Sequence, residues 1–235
     1  ISFDCLIISV PISFKILANI LNYIGSEIIK QSKEIGTLLS REEGKTLPEG
    51  IGEVVRSGQQ FQYYAASALR QFGENIASTR EGVSVEMTRE PVGVCGIISP
   101  WNFPIAIAAW KAAPAMAFGN AIVLKPASQT PASAIALTKI ISDQADIPEG
   151  LFNLVLGGGG TIGHQISGHK DINAISFTGS VGVGQTIYME AAKSMKKMQL
   201  EMGSKNPLVV MDDADLDIAV ACATNGAYGG TGQKC

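Results

Sequence analysis

The sequence is poor in the residues that build metal and disulfide sites. It has four cysteines, Cys5, Cys95, Cys222 and Cys235, and two histidines, His164 and His169. No C-x-x-C pair occurs. A zinc site needs about four clustered N, S or O ligands, so no metal site is expected. Basic residues are not in excess either: 18 Lys and Arg stand against 21 Asp and Glu, a net charge of −3. That balance argues against a nucleic-acid partner, whose phosphates call for a basic face. Long apolar runs are also missing. The nearest candidate, residues 5–14, is bounded by Asp4 and Lys15 and broken by Pro11. A membrane span needs about 18 apolar residues or more, so no membrane partner is expected. Aromatic residues make up only 6% of the chain, and its glycines follow no period of three, which excludes a collagen-like chain. No signal-peptide pattern opens the sequence, so a reducing, cytoplasmic setting is expected.

What is present suits a globular α/β protein. With 235 residues and 46% hydrophobic content the chain can bury a full core, and disorder is excluded. Its 26 glycines suit tight βα turns. The chain begins at Ile1 rather than Met and stops on Cys235, so it reads as a fragment.

Hydrophobic spacing organises the chain. Residues 1–13 are apolar and irregular and take no place in the pattern. Ile16, Leu17, Ile20, Leu21, Ile24, Ile28 and Ile29 recur at helical spacing. Helices are expected over 34–43 and 51–72, with a break at Leu47-Pro48-Glu49-Gly50. Residues 83–89 alternate apolar and polar positions, as a two-faced strand does. Strands are then expected at 92–99, 121–124, 151–156, 172–177, 198–202 and 207–211. Between them, helices are expected at 105–118, 131–143, after Gly160, at 181–196 and at 214–227. Apolar strands alternating with helices predict a Rossmann-like parallel sheet covered by helices on both faces, preceded by N-terminal helices.

Ligands of such sheets bind at the carboxyl ends of the strands. The residues expected there are Ser99 to Pro104, Lys125 to Ser128, the glycine run 157–160, Thr178-Gly179-Ser180 and Glu201-Met202-Gly203. Gly158 to Gly163 spells G-x-G-x-x-G, but that dinucleotide fingerprint expects the first strand and an acid about 20 positions on. The next strand ends in Phe177-Thr178-Gly179 without an acid, which favours a plain βα turn. Residues 178–184 join a strand to a helix N-terminus, so they suit a phosphate or a simple cap by Ser180 equally well. Lys125 either reaches solvent or meets a ligand. Asn102 sits between two prolines and either satisfies its own turn or faces a substrate. Glu201 closes an apolar strand. Buried, its raised pKa would suit a general base; otherwise it pairs with a cation such as Lys205. Cys235 follows Gly232-Gln233-Lys234, a setting for a nucleophilic thiolate. Cys5, Cys95 and Cys222 read as small core residues.

Taken together, five segments carry a resemblance. They are Pro100-Trp101-Asn102-Phe103-Pro104, Lys125-Pro126-Ala127-Ser128, Phe177-Thr178-Gly179-Ser180, Glu201-Met202-Gly203-Ser204-Lys205-Asn206-Pro207 and Gly232-Gln233-Lys234-Cys235. In order and spacing the chain resembles the NAD(P)-dependent aldehyde dehydrogenase family from about Phe14 to its last residue. The stretch from Glu201 to Asp215 is most similar to 2,5-dioxovalerate (α-ketoglutaric semialdehyde) dehydrogenases, with succinate-semialdehyde dehydrogenases close behind.

The resemblance implies a truncated aldehyde dehydrogenase fold. Residues 14–80 would be the N-terminal helices of the cofactor domain, 81–91 an oligomerisation-type strand, 92–230 the NAD(P)-binding domain and 231–235 the start of the catalytic domain. Cys235 would be the nucleophile, Asn102 an oxyanion donor and Glu201 the base that activates water. Lys125 would bind the adenosine ribose, and Thr178, Gly179 and Ser180 would flank the pyrophosphate. Ile98, Ser99, Pro100, Trp101, Ala127, Ser128, Gly159, Phe177, Val183, Met202 and Gly203 complete the implied cofactor site. The cofactor would be NADP or NAD. Relatives that prefer NAD often carry Glu where this chain has Ser128, so NADP is expected to be accepted. The substrate would be a small-molecule aldehyde, and the full-length protein would be a homo-oligomer. The pattern departs at Ser204, where the family has Gly, and before Phe14. The 235-residue chain alone is expected to be inactive, and a short nucleotide-binding protein without catalysis is the alternative.

Overall fold

A computed structural model describes residues 13–70, 73–144 and 146–234. The segment before Ser13, Phe72 at the expected end of the third helix, Cys5 and Cys235 lie outside the described residues.

Three helices come first: α1 (Phe14–Lys30), α2 (Ser32–Glu43) and α3 (Leu47–Ala68). On α1 the buried residues Leu17, Ile20, Leu21, Ile24 and Ile28 follow the 3–4 spacing of one face. That face meets α3 at a glycine crossing. A Cβ on Gly25 would lie 2.6 Å from the Gly58 carbonyl oxygen, and one on Gly58 equally close to the Gly25 oxygen. Only glycine allows the two backbones to touch there. The sequence step at Leu47-Pro48 begins α3 rather than separating it from a later helix. Pro48 occupies the first turn, where its missing N–H costs nothing, and Thr46 and Glu49 form a reciprocal capping box.

A two-stranded antiparallel hairpin follows, β1 (Glu74–Ala77) and β2 (Ser84–Met87), with Ile76 opposite Val85. The alternation over 83–89 marked β2. β1 falls inside the range expected to be helical. Glu-Asn-Ile-Ala is too short to show a period, and its strand character comes from the partner.

The main sheet has five parallel strands in the order β5-β4-β3-β6-β7. They are β3 (Val94–Ile98), β4 (Ala121–Lys125), β5 (Phe152–Leu154), β6 (Ala174–Gly179) and β7 (Lys197–Met202). The connections are α4 (Pro104–Ala117), α5 (Pro131–Ser142), a π-helical turn (Gly159–Gly163) running into α6 (His164–Gly168), and α7 (Val181–Ala192). Two cores flank the sheet. One joins Ile97, Ile122 and Leu124 to α4, α5, α1 and α3, with Phe61 fully buried. The other joins Val94, Ile98, Ile175 and Phe177 to Ile166, Ile187 and Ala191 of α6 and α7. This is the doubly covered parallel sheet expected from the alternation of elements.

Beyond β7 the expectation fails at one element. Residues 207–211 form no strand, and Leu208, Val209, Val210 and Met211 are exposed. The run has strand composition, but among the described residues nothing pairs with it, and a strand is stable only in a ladder. The last helix, α8 (Leu216–Tyr228), has no buried residue and is capped by Asp215, which accepts from the Ile218 N–H. Cys222 lies on it and is exposed, which corrects its reading as a core residue. No helix among the described residues is long and apolar enough to cross a membrane.

Candidate active site

Chain order and strand order together locate the site. From β3 the chain moves outward through β4 and β5, then returns to the other side of β3 as β6 and β7. Loops leaving β3 and β6 therefore diverge to opposite faces, and a crevice opens at their carboxyl ends.

The β3 end is built by Ser99 to Phe103. Ser99 is buried, and its hydroxyl has no partner among the described residues. Trp101 stands 42% exposed at the rim. Beside them, Lys125 closes β4 and is 4% exposed, so it does not simply reach solvent. Its ammonium donates to the Pro126 carbonyl at 2.6 Å, and burial pulls its pKa down. Thr130, in the same turn, buries a hydroxyl that also lacks a partner. Ser128 is exposed and donates to the Gly157 carbonyl at 3.3 Å, which joins the turns after β4 and β5.

Glycines 158, 159 and 160 have nothing within 4 Å of a built Cβ, so their turn faces open space. This G-x-G-x-x-G run follows edge strand β5, not the first strand, β3.

On the other flank, Thr178 and Gly179 belong to β6 itself, opposite Glu201 and Met202 of β7. Phe177 is buried beneath them. Ser180 takes the N-cap position of α7 but makes no side-chain cap bond. Val183 lies in the first turn of α7, 51% exposed, and Gly182 beside it has open space. The start of α7 therefore presents donor N–H groups and a positive dipole end to the crevice.

Strand alternation puts Ser176, Gln199 and Glu201 on the face that meets α4. Lys111 reaches down from α4 and donates to Ser176 Oγ and Gln199 Oε1, both at 2.8 Å. Burial pushes the Lys111 pKa down to about 8, and the Glu201 charge opposes that shift. Glu201 itself is exposed, so of the two alternatives its sequence left open the buried carboxylate is not the one found. It lies on an edge strand with no strand beyond it in the sheet. Its described electrostatic partner is Lys111 rather than Lys205. Lys111 was missed in the sequence. Its one signal was a lone cation in the apolar run 105–117.

That buried cation has a measurable consequence. The unfolded Lys111 pKa is about 10.4, above its folded value of about 8. Between the two the unfolded chain holds more protons, so stability rises with pH across that window. Chemical denaturation of the parent and of Lys111→Met is expected to show a steeper rise in the parent. Equal slopes would contradict it.

Asn102 connects the two loops that carry the candidate chemistry. Its Nδ2 donates to the Gln233 carbonyl at 2.6 Å across 131 positions of sequence. Gln233 follows a 3-10 turn (Gly229–Gly232) in which Gly230, Thr231 and Gly232 all take positive φ, at 60°, 59° and 72°. Three consecutive left-handed residues, one of them non-glycine, make a strained turn of the kind that clusters at functional sites. Lys234 donates to the Asn225 carbonyl at 2.8 Å and so ties the turn to α8.

A doubly covered parallel sheet with polar, under-satisfied turns at its switch point defines a Rossmann-like α/β architecture. The model of the aldehyde dehydrogenase family matches residues 12–235, and the chain belongs to that family. It is 45% identical over 216 residues to an alpha-ketoglutaric semialdehyde dehydrogenase of Bacillus subtilis (strain 168), covering 91% of this chain and 44% of that protein. It is 37% identical over 208 residues to the NADP(+) succinate-semialdehyde dehydrogenase of Escherichia coli (strain K12), covering 88% of this chain and 43% of that one. Among solved structures, betaine aldehyde dehydrogenase from Staphylococcus aureus in complex with NAD+ superposes with a TM-score of 0.90 at 35% identity. That match covers 93% of this chain and 43% of the other. The chain thus spans less than half the length of these relatives.

Proposed function

We propose that this chain is the nucleotide-binding part of an aldehyde dehydrogenase that oxidises a semialdehyde to its carboxylic acid with NADP+ or NAD+. The observation that carries the reading is the Asn102 to Gln233 hydrogen bond, 2.6 Å long. It brings the amide that would hold an oxyanion to the segment that leads into Cys235.

The rim fits a dinucleotide. Lys125 has donors to spare for ribose hydroxyls, and the Ser99 and Thr130 hydroxyls lack partners. The uncapped start of α7, with Thr178, Gly179, Ser180 and Val183, suits a pyrophosphate. In this reading Pro100, Trp101 and Ala127 would flank the nucleotide on one side, Gly159 at the β5 turn and Met202 and Gly203 on the other, with Ile98 and Phe177 packed in the core beneath. When bound, NAD(P)+ supplies the hydride acceptor.

The chain's own residues do the rest. The Cys235 thiolate bonds to the aldehyde carbon, and the carbonyl π pair moves to oxygen. The Asn102 amide donates to that oxygen, where charge develops. The carbonyl re-forms as hydride leaves the carbon, and a thioester to Cys235 remains. Glu201 takes a proton from water, whose oxygen adds to the thioester, and the thiolate departs with the acid released. The Ser128 hydroxyl presents no charge against a 2′-phosphate, which supports NADP+ as a cofactor. As part of the same reading, the hairpin β1–β2, exposed along its length, joins a second copy in a homo-oligomer.

Absorbance of the reduced nucleotide tests the reaction. The enzyme carrying this chain is expected to reduce NADP+ or NAD+ faster with α-ketoglutaric semialdehyde or succinate semialdehyde than with betaine aldehyde. No aldehyde-dependent reduction would sink the reading.

A further inference from the structure

The corner between α2 and α3 lies outside the crevice, yet it is bonded to both loops that meet at Asn102. The α2 helix ends at Gly44, whose φ of 95° reverses the chain. Lys45 follows, buried at 3% exposure. Its ammonium lies 2.5 Å from Glu53 Oε2, donates to the Asn102 carbonyl at 2.9 Å and sits 4.1 Å from the centre of the Phe103 ring. The other oxygen of Glu53 accepts from the Ile105 and Ala106 N–H groups, at 3.1 and 3.0 Å, in the first turn of α4. Lys45 and Glu53 thereby hold the Asn102 loop from both ends.

One helical turn before Glu53 stands Glu49, on the same face of α3. Glu49 Oε2 accepts from the Thr46 N–H and hydroxyl. Its Oε1 reaches across 181 positions of sequence and accepts from the Gly230 N–H at 2.7 Å. That bond, more than any other contact, holds its carboxyl below the usual carboxylate range. Gly230 opens the left-handed turn that runs to Gln233. The bonds close a circuit from α3 through Glu49, Gly230, Gln233, Asn102, Lys45 and Glu53 back to α3. A strained turn persists only where its surroundings over-determine it, and Glu49 is the side chain that fixes its first N–H.

We infer that Glu49 is a positioning residue: with Lys45 and Glu53 it sets the Gly230 turn, and hence the segment entering Cys235, against the Asn102 amide. The inference rests on the reading of Cys235 and Asn102 given above. A carboxylate is required because one side chain must accept from Thr46 and Gly230 together, and a glutamine amide has a single oxygen.

The test is steady-state kinetics on the enzyme with Glu49→Ala, Glu49→Gln, Asn102→Ala and the Glu49→Ala/Asn102→Ala double variant. NADP+ affinity and thermal melting are followed alongside. Misplacement by about 1 Å can cost about 100-fold in rate. Glu49→Ala is expected to lower kcat about 10-fold or more and leave NADP+ affinity within about twofold, with Glu49→Gln losing less. The double variant is expected to be no slower than Asn102→Ala alone, because Glu49 acts through the same amide. A purely structural role would multiply the two kinetic losses, whereas some fall in melting temperature is expected in either case because Glu49 also caps α3. An unaltered kcat in Glu49→Ala, or multiplying losses, overturns the inference. If Glu49→Ala does not fold, an unaltered kcat in Glu49→Gln overturns it equally. A parent without turnover overturns the functional reading and this inference with it, whereas a fully active parent with an indifferent Glu49 overturns this inference alone.

Discussion

A Cys235→Ala enzyme is expected to lose aldehyde oxidation by about four orders of magnitude or more while still binding NADP+ within about twofold of the parent. The size follows from the chemistry. Without a thiolate no covalent adduct forms, and the aldehyde carbon has nothing to push hydride out. The selectivity follows from the fold. The proposed nucleotide rim draws on the turns after β3, β4, β5 and β6, all of them upstream of the 3-10 turn at Gly229–Gly232. Among the described residues, the two free thiols make poor substitutes. Cys95 lies in β3, where burial pushes its pKa up to about 11, so it stays protonated near neutrality. Cys222 is exposed on α8 and carries no described bond to the Asn102 loop. Stopped-flow absorbance of the reduced nucleotide and equilibrium titration check the two halves of this expectation separately. Residual turnover above about a hundredth of the parent rate would assign the nucleophile elsewhere.

The second large effect is expected at Ser128. Its hydroxyl donates to the Gly157 carbonyl across the mouth of the β4 and β5 turns and carries no charge. On the proposed reading, Ser128→Glu sets a carboxylate against the 2′-phosphate. Two like charges 4 Å apart repel by about 4 kcal/mol at an effective dielectric of 20, and water and salt at this exposed position reduce that. NADP+ affinity is therefore expected to fall roughly 10- to 100-fold, with NAD+ affinity held or improved. Raising the ionic strength should narrow the gap, since the added term is a screened repulsion. Titration of both nucleotides against both proteins reads it directly. Unchanged NADP+ affinity would remove Ser128 from the cofactor site.

Much of the fold was legible because the main sheet speaks in long apolar words. Val94 to Ile98 and Ala174 to Phe177 are bounded by polar turns, and the helices between them keep a regular period. The misses have local causes. Leu47-Pro48 looks like a break until Thr46 is seen as a cap with Glu49 three residues on. The strand β1 has too few residues to show a period. Residues 207–211 have strand composition, but no strand among the described residues pairs with them. For the site, the motifs around Asn102, Lys125 and Thr178 did converge on one rim. Glu201 falls on the strand where it was read, but its burial was left open, because an apolar neighbourhood in sequence does not reveal that β7 is an edge. Lys45, Glu49, Glu53 and Lys111 were not legible. Each looks like an ordinary polar residue on a helix or at its start, and its partners lie across 181, 88 or 52–57 positions of sequence.

The measurement that bears most directly on the proposed chemistry is the mass of the Cys235 peptide during turnover. The enzyme would be mixed with NADP+ and a semialdehyde, quenched in acid within one turnover, digested and weighed. A peptide heavier by the acyl group, absent when nucleotide is omitted and absent in Cys235→Ala, is the expected result. Rapid nucleotide reduction with Cys235 unmodified at every quench time, and an acyl group on another residue, would contradict the central assignment.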